Sequence, residues 1–313
     1  MSVDRNPDAA GLDRASMRRA FERAAGSYDS AAVLQREVAQ RMAERLGIVR
    51  LDPKVILDAG CGTGEALGEL LARYPRARLL GLDLAYAMVH AARRRDLAAA
   101  AASPSLGRRL LGAFAAPGRG AVSLVCGDVC RLPVRARCVD VVWSNLTLQW
   151  VDELPLALSE IHRVLNVGGL LTFTTLGPDT LSELRRAFAA ADDAAHVNRF
   201  LDMHDVGDML VDAGFADPVM DMEMITMTYV DAGALMRDLK SIGAQNARTD
   251  RRRGLTGRRR WQRMLAALEG FRRDGRLPAS FEVVYGHAWK PEPRLADDGR
   301  AIVRFDRGRG ERR

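Results

Sequence analysis

Hydrophobic residues along the chain follow two spacings that alternate. Short apolar runs of the kind that form buried strands occupy residues 55–57, 78–82, 122–126, 139–144 and 170–175. Between them, apolar residues recur at the spacing of a helix, at residues 65–74, 85–95 and 155–165. Strands that alternate with helices predict an α/β protein whose sheet is mostly parallel and is covered by helices on both faces.

The two ends of the chain extend this pattern. Residues 17–46 have apolar residues at helical spacing, interrupted at 26–29, and predict two helices before the first strand. After residue 177, helical spacing at 180–192 and 205–213 is accompanied by strand-like segments at 222–229 and 283–289. We therefore predict a doubly wound, Rossmann-like sheet of seven strands, with helical decorations at both ends.

A single domain accounts for most of the 313 residues. We assign residues 16–291 to it, with a flexible N-terminus at 1–15 and a disordered basic tail at 292–313. Residues 97–120 are rich in alanine, arginine and glycine and are interpreted as an inserted segment. Residues 232–276 are interpreted as a basic helical region that receives the substrate or a partner.

Composition excludes several classes of protein. Hydrophobic residues make up 48% of the chain and charged residues 28%, which is typical of a folded globular protein. The N-terminus lacks the apolar core of a signal peptide, and no apolar run is long enough to span a membrane. The four cysteines do not suggest a disulfide framework, and Cys126, Cys130 and Cys138 have no fourth ligand at the spacing of a zinc site. We therefore expect a cytoplasmic protein without a bound metal.

A glycine loop follows the first predicted strand. Asp58, Gly60, Gly62 and Gly64 lie between that strand and a helix, and glycine lets the backbone approach a ligand closely. Dinucleotide sites have the spacing Gly-x-Gly-x-x-Gly, whereas this loop has Gly-x-Gly-x-Gly after an acidic residue. The acidic residue suits the amino group of S-adenosylmethionine (SAM), which has no pyrophosphate for a helix N-terminus to bind. The loop therefore favours SAM over NAD.

Two further acidic residues follow the next two strands. Asp83 is placed to accept hydrogen bonds from the ribose hydroxyls, and Leu84 and Met88 to flank the adenine. Asp128 and Val129 are placed to meet the exocyclic amine of the adenine. Because ligands of open α/β sheets bind at the carboxyl ends of the strands, we predict one SAM site there. The alternative is that each aspartate separately caps a helix, ends a strand or makes a turn.

These motifs resemble those of class I SAM-dependent methyltransferases, on residues 55–64, Asp83, Asp128 and residues 144–146. More selective segments resemble the BioC family, which O-methylates malonyl-acyl carrier protein (malonyl-ACP) in biotin synthesis; they are 28–29, 34–36, 143–146, 149–150, 173–176, 196–200 and 239–244. The likeness covers roughly residues 16–291. It implies that SAM methylates the free carboxylate of a malonyl thioester on a phosphopantetheine arm, with S-adenosylhomocysteine as the product.

The resemblance also implies roles for five residues. A malonyl carboxylate is ionised at neutral pH, so the reaction needs orientation rather than a general base. Arg199 is the candidate to hold this anion, because a guanidinium binds a carboxylate through two parallel hydrogen bonds. Tyr28 is expected to close over the pocket, which Asn145, Gln149 and Trp150 would line. The alternatives are a surface arginine and ordinary packing or capping.

The net charge of +7 is concentrated in the basic region. We expect an acidic carrier protein to dock there, on Arg237, Lys240, Arg251, Arg252, Arg253, Arg258, Arg259 and Arg260. Nucleic acid is not the expected partner, because Trp261 alone offers little base stacking. A solvated run of charge is the alternative.

Three other functions stay open from the sequence. Residues 154–158, 179–184 and 277–290 also resemble a mitochondrial complex I assembly factor that hydroxylates an arginine. A second possibility is methylation of another small carboxylate. In the third, the chain binds SAM only as a structural ligand and acts as an assembly or RNA-binding scaffold.

Overall fold

Seven strands form one sheet in the computed structural model, which describes residues 11–102, 121–252, 254 and 256–293. The strands are β1 (Val55–Ala59), β2 (Arg78–Asp83), β3 (Val122–Cys126), β4 (Val139–Ser144), β5 (Leu165–Leu176), β6 (Ala216–Tyr229) and β7 (Leu277–Trp289). Their order is β3-β2-β1-β4-β5-β7-β6, with β1 to β5 parallel and β7 antiparallel to both of its neighbours. The predicted fold class is confirmed.

Helices cover both faces of this sheet. They are α1 (Arg14–Ala24), α2 (Tyr28–Ala31), α3 (Val33–Leu46), α4 (Glu65–Arg73), α5 (Tyr86–Ala102), α6 (Leu154–Val164), α7 (Ser182–Ala189), α8 (Met203–Asp212), α9 (Ala232–Ser241) and α10 (Arg258–Glu269). Alternate residues of a strand point to opposite faces, so Ile56 packs with α3 and α4 whereas Leu57 packs with α6 and α8. The core therefore consists of two apolar layers on either side of the sheet.

The last two strands are longer than the sequence predicts. β6 begins at Ala216 rather than at residue 222, and β7 begins at Leu277 rather than at residue 283. The two strands pair from Ala216 opposite Trp289 to Tyr229 opposite Leu277, with one shift of register between Ala216 and Val219. The added part of β7 includes Pro278, although proline has a low propensity for strands. Hydrogen bonding of β7 to the long strand β6 outweighs this local preference.

The predicted N-terminal boundary differs from the structure. Asp13 caps α1 by accepting from the backbone N–H of Ser16 at 2.9 Å, and its own N–H donates to the carbonyl of Ala247 at 2.6 Å. The Arg251 side chain donates to Asp13 Oδ2 at 2.9 Å. Residues 11–15 are therefore held against the basic region, and α1 begins at Arg14. Residues 1–10 lie outside the described part of the chain.

Other predicted segments are only partly described. Helix α5 runs to Ala102 and so includes the start of the insertion predicted at 97–120. Residues 103–120 of that insertion lie outside the part of the chain that the structure describes. The same holds for residues 294–313 of the predicted tail. The basic region is two separate helices, α9 and α10, because Gly243 takes a left-handed conformation (φ +74°) just after α9 ends. Among the described helices, none is long and apolar enough to cross a membrane.

Candidate active site

The loop after β1 is held in a shape that requires glycine. Gly60, Gly62 and Gly64 have φ values of +91°, +52° and +79°. A Cβ on Gly60 would lie 2.0 Å from Thr147 Oγ1, so the loop has no room for a side chain there. The backbone N–H of Gly60 donates to the carbonyl of Leu82 at 2.7 Å, which joins the loop to the end of β2. The loop is thus fixed between two strand ends.

Asp83 connects this loop to the chain that follows β2. Its Oδ2 accepts from the backbone N–H of Gly62 at 3.0 Å, and its Oδ1 accepts from that of Ala85 at 2.8 Å. Burial raises the pKa of Asp83, and the two backbone hydrogen bonds oppose that rise. The carboxylate therefore lies at a fixed position on the edge of the sheet.

A cavity of about 260 Å³ opens at this edge and is here called the strand-end cavity. Most residues of the predicted cofactor site come together in its lining, which includes Gly60, Gly62, Asp83, Leu84, Met88, Asp128, Val129 and Asn145. Trp150, predicted for the substrate pocket, lines it too, whereas the predicted Gly64 does not. Asp128 is engaged by an ion pair with Arg14 of α1 and accepts from the backbone N–H of Cys130 at 2.9 Å. One side of the cavity is thus lined by α1, which is distant in sequence from the strand ends.

A second cavity of about 180 Å³, here called the loop cavity, also borders the glycine loop. Asp58 Oδ2, Gln35 Oε1 and Trp143 Nε1 belong to residues that line it, and each is buried without a hydrogen-bond partner among the described residues. Burial and the nearby negative charge of Asp83 raise the pKa of Asp58 to about 8. Two acceptors and one donor are of the kinds that an ammonium and a carboxylate on the same carbon atom would bind.

A third, mainly apolar cavity of about 90 Å³ adjoins the first two and is here called the apolar cavity. Tyr28 lines all three cavities, and Phe21 and Trp150 line the strand-end and apolar cavities. The rings of Phe21 and Trp150 meet edge to face, with 5.2 Å between their centroids. Burial and the carboxylates of Asp83 and Glu65 raise the pKa of Tyr28, so its phenol stays protonated and can donate.

Two polar residues complete the junction between the cavities. Asn145 donates to the carbonyl of Gln35 at 3.0 Å and accepts from Thr174 Oγ1 at 2.7 Å, which fixes the loop after β4. Gln149 donates to the carbonyl of Leu146 at 2.7 Å, while its buried Oε1 has no partner among the described residues. Both side chains therefore present fixed polar atoms to the site.

Arg199 lies elsewhere. It is exposed and lines a fourth, outer groove of about 560 Å³ together with Arg185, Asp192 and Arg248. The structure therefore separates Arg199 from Tyr28, with which it was predicted to bind the substrate. Arg199 belongs to the loop between α7 and α8, and this loop separates the apolar cavity from the outer groove.

The predicted docking residues also divide into groups. Arg237, Lys240, Arg252, Arg258 and Arg259 are exposed, Arg260 is half-buried, and Arg253 lies outside the described residues. Arg251 is half-buried and donates to Asp13 and Ser16, so it connects the basic region to α1. Among the described residues, no three His, Cys, Asp or Glu side chains are grouped in a way that could hold a metal ion.

Sequence reasoning missed several residues that line these cavities. Gln35 and Trp143 belong to segments that carry the family resemblance, and that resemblance was the signal that could have found them. Arg14 and Phe21 have no such signal, because helix α1 brings them to the strand ends only in the folded protein. The position of α1 therefore supplies a side of the site that no local motif reveals.

Comparisons with known proteins agree with this architecture. A family profile described as a methyltransferase domain matches residues 57–173. The malonyl-acyl-carrier-protein O-methyltransferase of Laribacter hongkongensis is 54% identical over 296 residues, covering 94% of this chain and 96% of that protein. The protein of the same name from Gallionella capsiferriformans is 51% identical over 294 residues, with coverages of 94% and 96%. The YcgJ protein of Bacillus subtilis shares the fold, with a TM-score of 0.52, 15% identity and coverages of 80% and 98%.

Proposed function

This chain belongs to the family of malonyl-acyl-carrier-protein O-methyltransferases, and on that premise we propose that it transfers the methyl group of SAM to the free carboxylate of malonyl-ACP. The product would be the malonyl-ACP methyl ester, for the pimeloyl precursor of biotin. The observation that carries the proposal is the meeting of three cavities at Tyr28. Two of them suit the two ends of a nucleoside amino acid, and the third suits an acyl chain.

The first two cavities fit SAM residue by residue. Asp83 would accept from the ribose hydroxyls, Leu84 and Met88 would flank the adenine, and Asp128 with Val129 would meet its exocyclic amine. The unpartnered oxygens of Asp58 and Gln35 would accept from the ammonium, while Trp143 Nε1 would donate to the carboxylate. When bound, SAM supplies an electrophilic methyl group on a sulfonium sulfur.

The remaining work of the protein is orientation and exclusion of water. The malonyl carboxylate is ionised at neutral pH and needs no base. The protonated phenol of Tyr28 would donate to it, while Gln149 and Trp150 would close the site around it. Well-oriented reactants can gain on the order of 7–11 kcal/mol over the same groups free in solution.

Asp58 should make cofactor binding depend on pH. Its pKa of about 8 means that the carboxyl is mostly protonated at neutral pH, whereas a bound ammonium requires the ionised form. Binding therefore releases a proton, and we expect the affinity for S-adenosylhomocysteine to rise up to about tenfold per pH unit between about pH 6 and 7.5. Calorimetry in buffers of different ionisation enthalpy would measure both effects. The Asp58→Asn variant should bind S-adenosylhomocysteine weakly at every pH. A wild-type affinity that does not change with pH would contradict the assignment of Asp58 to the ammonium.

Tyr28→Phe should slow the reaction without weakening the cofactor complex. The loss of one hydrogen bond to a charged group costs about 1.5–3 kcal/mol, so kcat should fall at least about tenfold. The affinity for S-adenosylhomocysteine should change less than about twofold, since the phenyl ring still fills the junction. An unchanged kcat would remove Tyr28 from the reaction.

The proposed reaction is tested directly with labelled SAM. The purified protein is incubated with malonyl-ACP, and mass spectrometry of the released acyl group should show a malonyl methyl ester. Acetyl-ACP, which has no free carboxylate, is the matched control and should acquire no label. Turnover of SAM without the ester, or labelling of another small carboxylate instead, would overturn the proposal.

The exposed basic residues of the C-terminal region would bind the acidic carrier protein. Reversal of two charges, Arg258→Glu with Arg259→Glu, should raise the KM for malonyl-ACP at least about tenfold at low salt, because electrostatic steering is lost. Added salt should reduce the difference in KM between this double variant and the wild type. The double variant Arg76→Glu with Arg78→Glu makes the same charge change at exposed positions near the start of β2, and it should leave KM unchanged. An equal effect of both double variants would argue against a local docking surface.

A further inference from the structure

The apolar cavity adjoins the groove that contains Arg199. Val197, Asn198 and Phe200 line both spaces, and so does His196. At its inner end, the apolar cavity reaches Tyr28 and Trp150, which also line the strand-end cavity. The spaces therefore lie side by side in a row between the surface and the junction of the three cavities.

The segment that borders both spaces is firmly attached. Asn198 Oδ1 accepts from the backbone N–H of Ala247 at 3.0 Å, and Asn246 Nδ2 donates to the carbonyl of Ala195 at 2.6 Å. The ring of His196 stacks on Phe188 with 3.9 Å between centroids. The border between the cavity and the groove is thus a defined part of the fold.

The lining of the apolar cavity combines hydrocarbon with carboxamides. Leucine and other apolar side chains form most of it, while Gln149 and Gln245 add amide groups. The buried Oε1 of Gln149 has no hydrogen-bond partner among the described residues and is free to accept from an N–H. A narrow passage of this kind suits a flexible chain in which methylene groups alternate with amides.

The outer groove has an arginine that is free to bind an anion. Arg185 donates to the carbonyls of Pro178 and Thr180, and Arg248 is paired with Asp250. Asp192 is engaged by His196 at 2.7 Å. Within the described part of the chain, the guanidinium of exposed Arg199 has neither a hydrogen bond nor an ion pair. The charge that it acts on is Asp250, whose pKa is lowered by its hydrogen bonds from Arg248 and, to a smaller extent, by the charge of Arg199. Because Asp250 is already held by Arg248, the guanidinium of Arg199 can still bind a phosphate.

We infer that the outer groove and the apolar cavity form one channel for the phosphopantetheine arm, with Arg199 binding the phosphate at the outer end. The inference rests on the proposed function. Arg252 and Arg260 lie 3.9 Å from Asp192 in this groove, which places the channel entrance beside the basic docking surface. Arg199 then recognises the arm and not, as predicted from the sequence, the malonyl carboxylate.

The role of Arg199 is tested by comparing malonyl-4′-phosphopantetheine with malonyl-pantetheine, two substrates that differ only by the phosphate. Arg199→Gln should raise the KM for malonyl-4′-phosphopantetheine at least about tenfold and leave kcat within about twofold, since the chemistry occurs at the other end of the arm. With malonyl-pantetheine, which lacks the phosphate, the variant and the wild type should have the same KM. Arg76→Gln, at an exposed arginine just before β2, is the matched control. An equal loss with both substrates would instead place Arg199 at the carboxylate and overturn the inference.

The channel itself is tested by filling it. Ala244 lines the apolar cavity, and Ala244→Trp should reduce methyl ester formation at least about a hundredfold while the affinity for S-adenosylhomocysteine stays unchanged. Normal turnover of this variant would exclude the channel as the route of the phosphopantetheine arm.

A binding experiment separates this inference from the proposed function. If the wild type methylates no malonyl substrate, the proposed function fails, but the phosphate site at Arg199 can still be tested by calorimetric binding of 4′-phosphopantetheine. Loss of that binding in Arg199→Gln supports the inference, and equal binding by both proteins overturns it.

Discussion

Asp83→Ala is expected to weaken the binding of S-adenosylhomocysteine at least about a hundredfold. The ribose would lose two hydrogen bonds to the Asp83 carboxylate, and each is worth about 1.5–3 kcal/mol because one partner is charged. A difference of about 1.4 kcal/mol corresponds to a tenfold change in affinity. The variant also frees the backbone N–H groups of Gly62 and Ala85, so the loop loses its attachment to β2. Calorimetry with S-adenosylhomocysteine measures the loss.

Two further variants make this result specific. Asp83→Asn keeps one acceptor oxygen and should retain more affinity than alanine does. Asp128→Ala should have a smaller effect, because its carboxylate is shared with Arg14 and the backbone of Cys130. If Asp83→Ala bound the nucleoside as tightly as the wild type, the strand-end cavity would not be the cofactor site.

Gly60→Ala is expected to abolish detectable cofactor binding and to destabilise the protein. The new Cβ would lie 2.0 Å from Thr147 Oγ1, so either the loop or the segment after β4 must move. A left-handed conformation costs a non-glycine residue about 1–2 kcal/mol in addition. The free energy of unfolding should fall by at least that amount, and denaturant unfolding together with calorimetry would record both effects.

Gly68→Ala provides the matched control for this substitution. Gly68 lies within α4, and nothing lies within 4 Å of the Cβ that alanine would add. Alanine there should stabilise the helix by about 0.5–1 kcal/mol and leave the affinity for S-adenosylhomocysteine unchanged. Equal behaviour of the two variants would mean that the glycine loop tolerates side chains and does not approach a ligand.

The three cavities give a physical reason for the helices that precede the sheet. Helix α1 contributes Arg14 and Phe21 to the strand-end cavity, α2 contributes Tyr28, and α3 contributes Gln35 to the loop cavity. The strand ends alone would leave the reacting groups open to water. With the helices in place, α1, α2 and α3 add side chains to the lining of the junction at Tyr28, and exclusion of water there would strengthen the electrostatic contacts of the proposed ligands.

The sequence by itself determined the fold class, and it predicted which edge of the sheet carries three acidic residues. Apolar spacing distinguishes strands from helices because burial on a sheet and on a helix recurs with different periods. Asp58, Asp83 and Asp128 could be grouped in advance because parallel strands end at the same edge of a sheet. The confirmed fold and the shared lining of Asp83 and Asp128 follow from these two regularities.

Only the tertiary structure decided which side chains surround the junction. Arg199 lies in the outer groove although its segment carries the family resemblance, and that resemblance does not specify which face of a loop meets the pocket. Gln35 and Trp143 are separated by about a hundred residues, and their unpartnered atoms come to one cavity through the packing of α3 against the sheet. Local preference and spacing act over a few residues, whereas the shape of a cavity depends on contacts between elements that are distant in the chain.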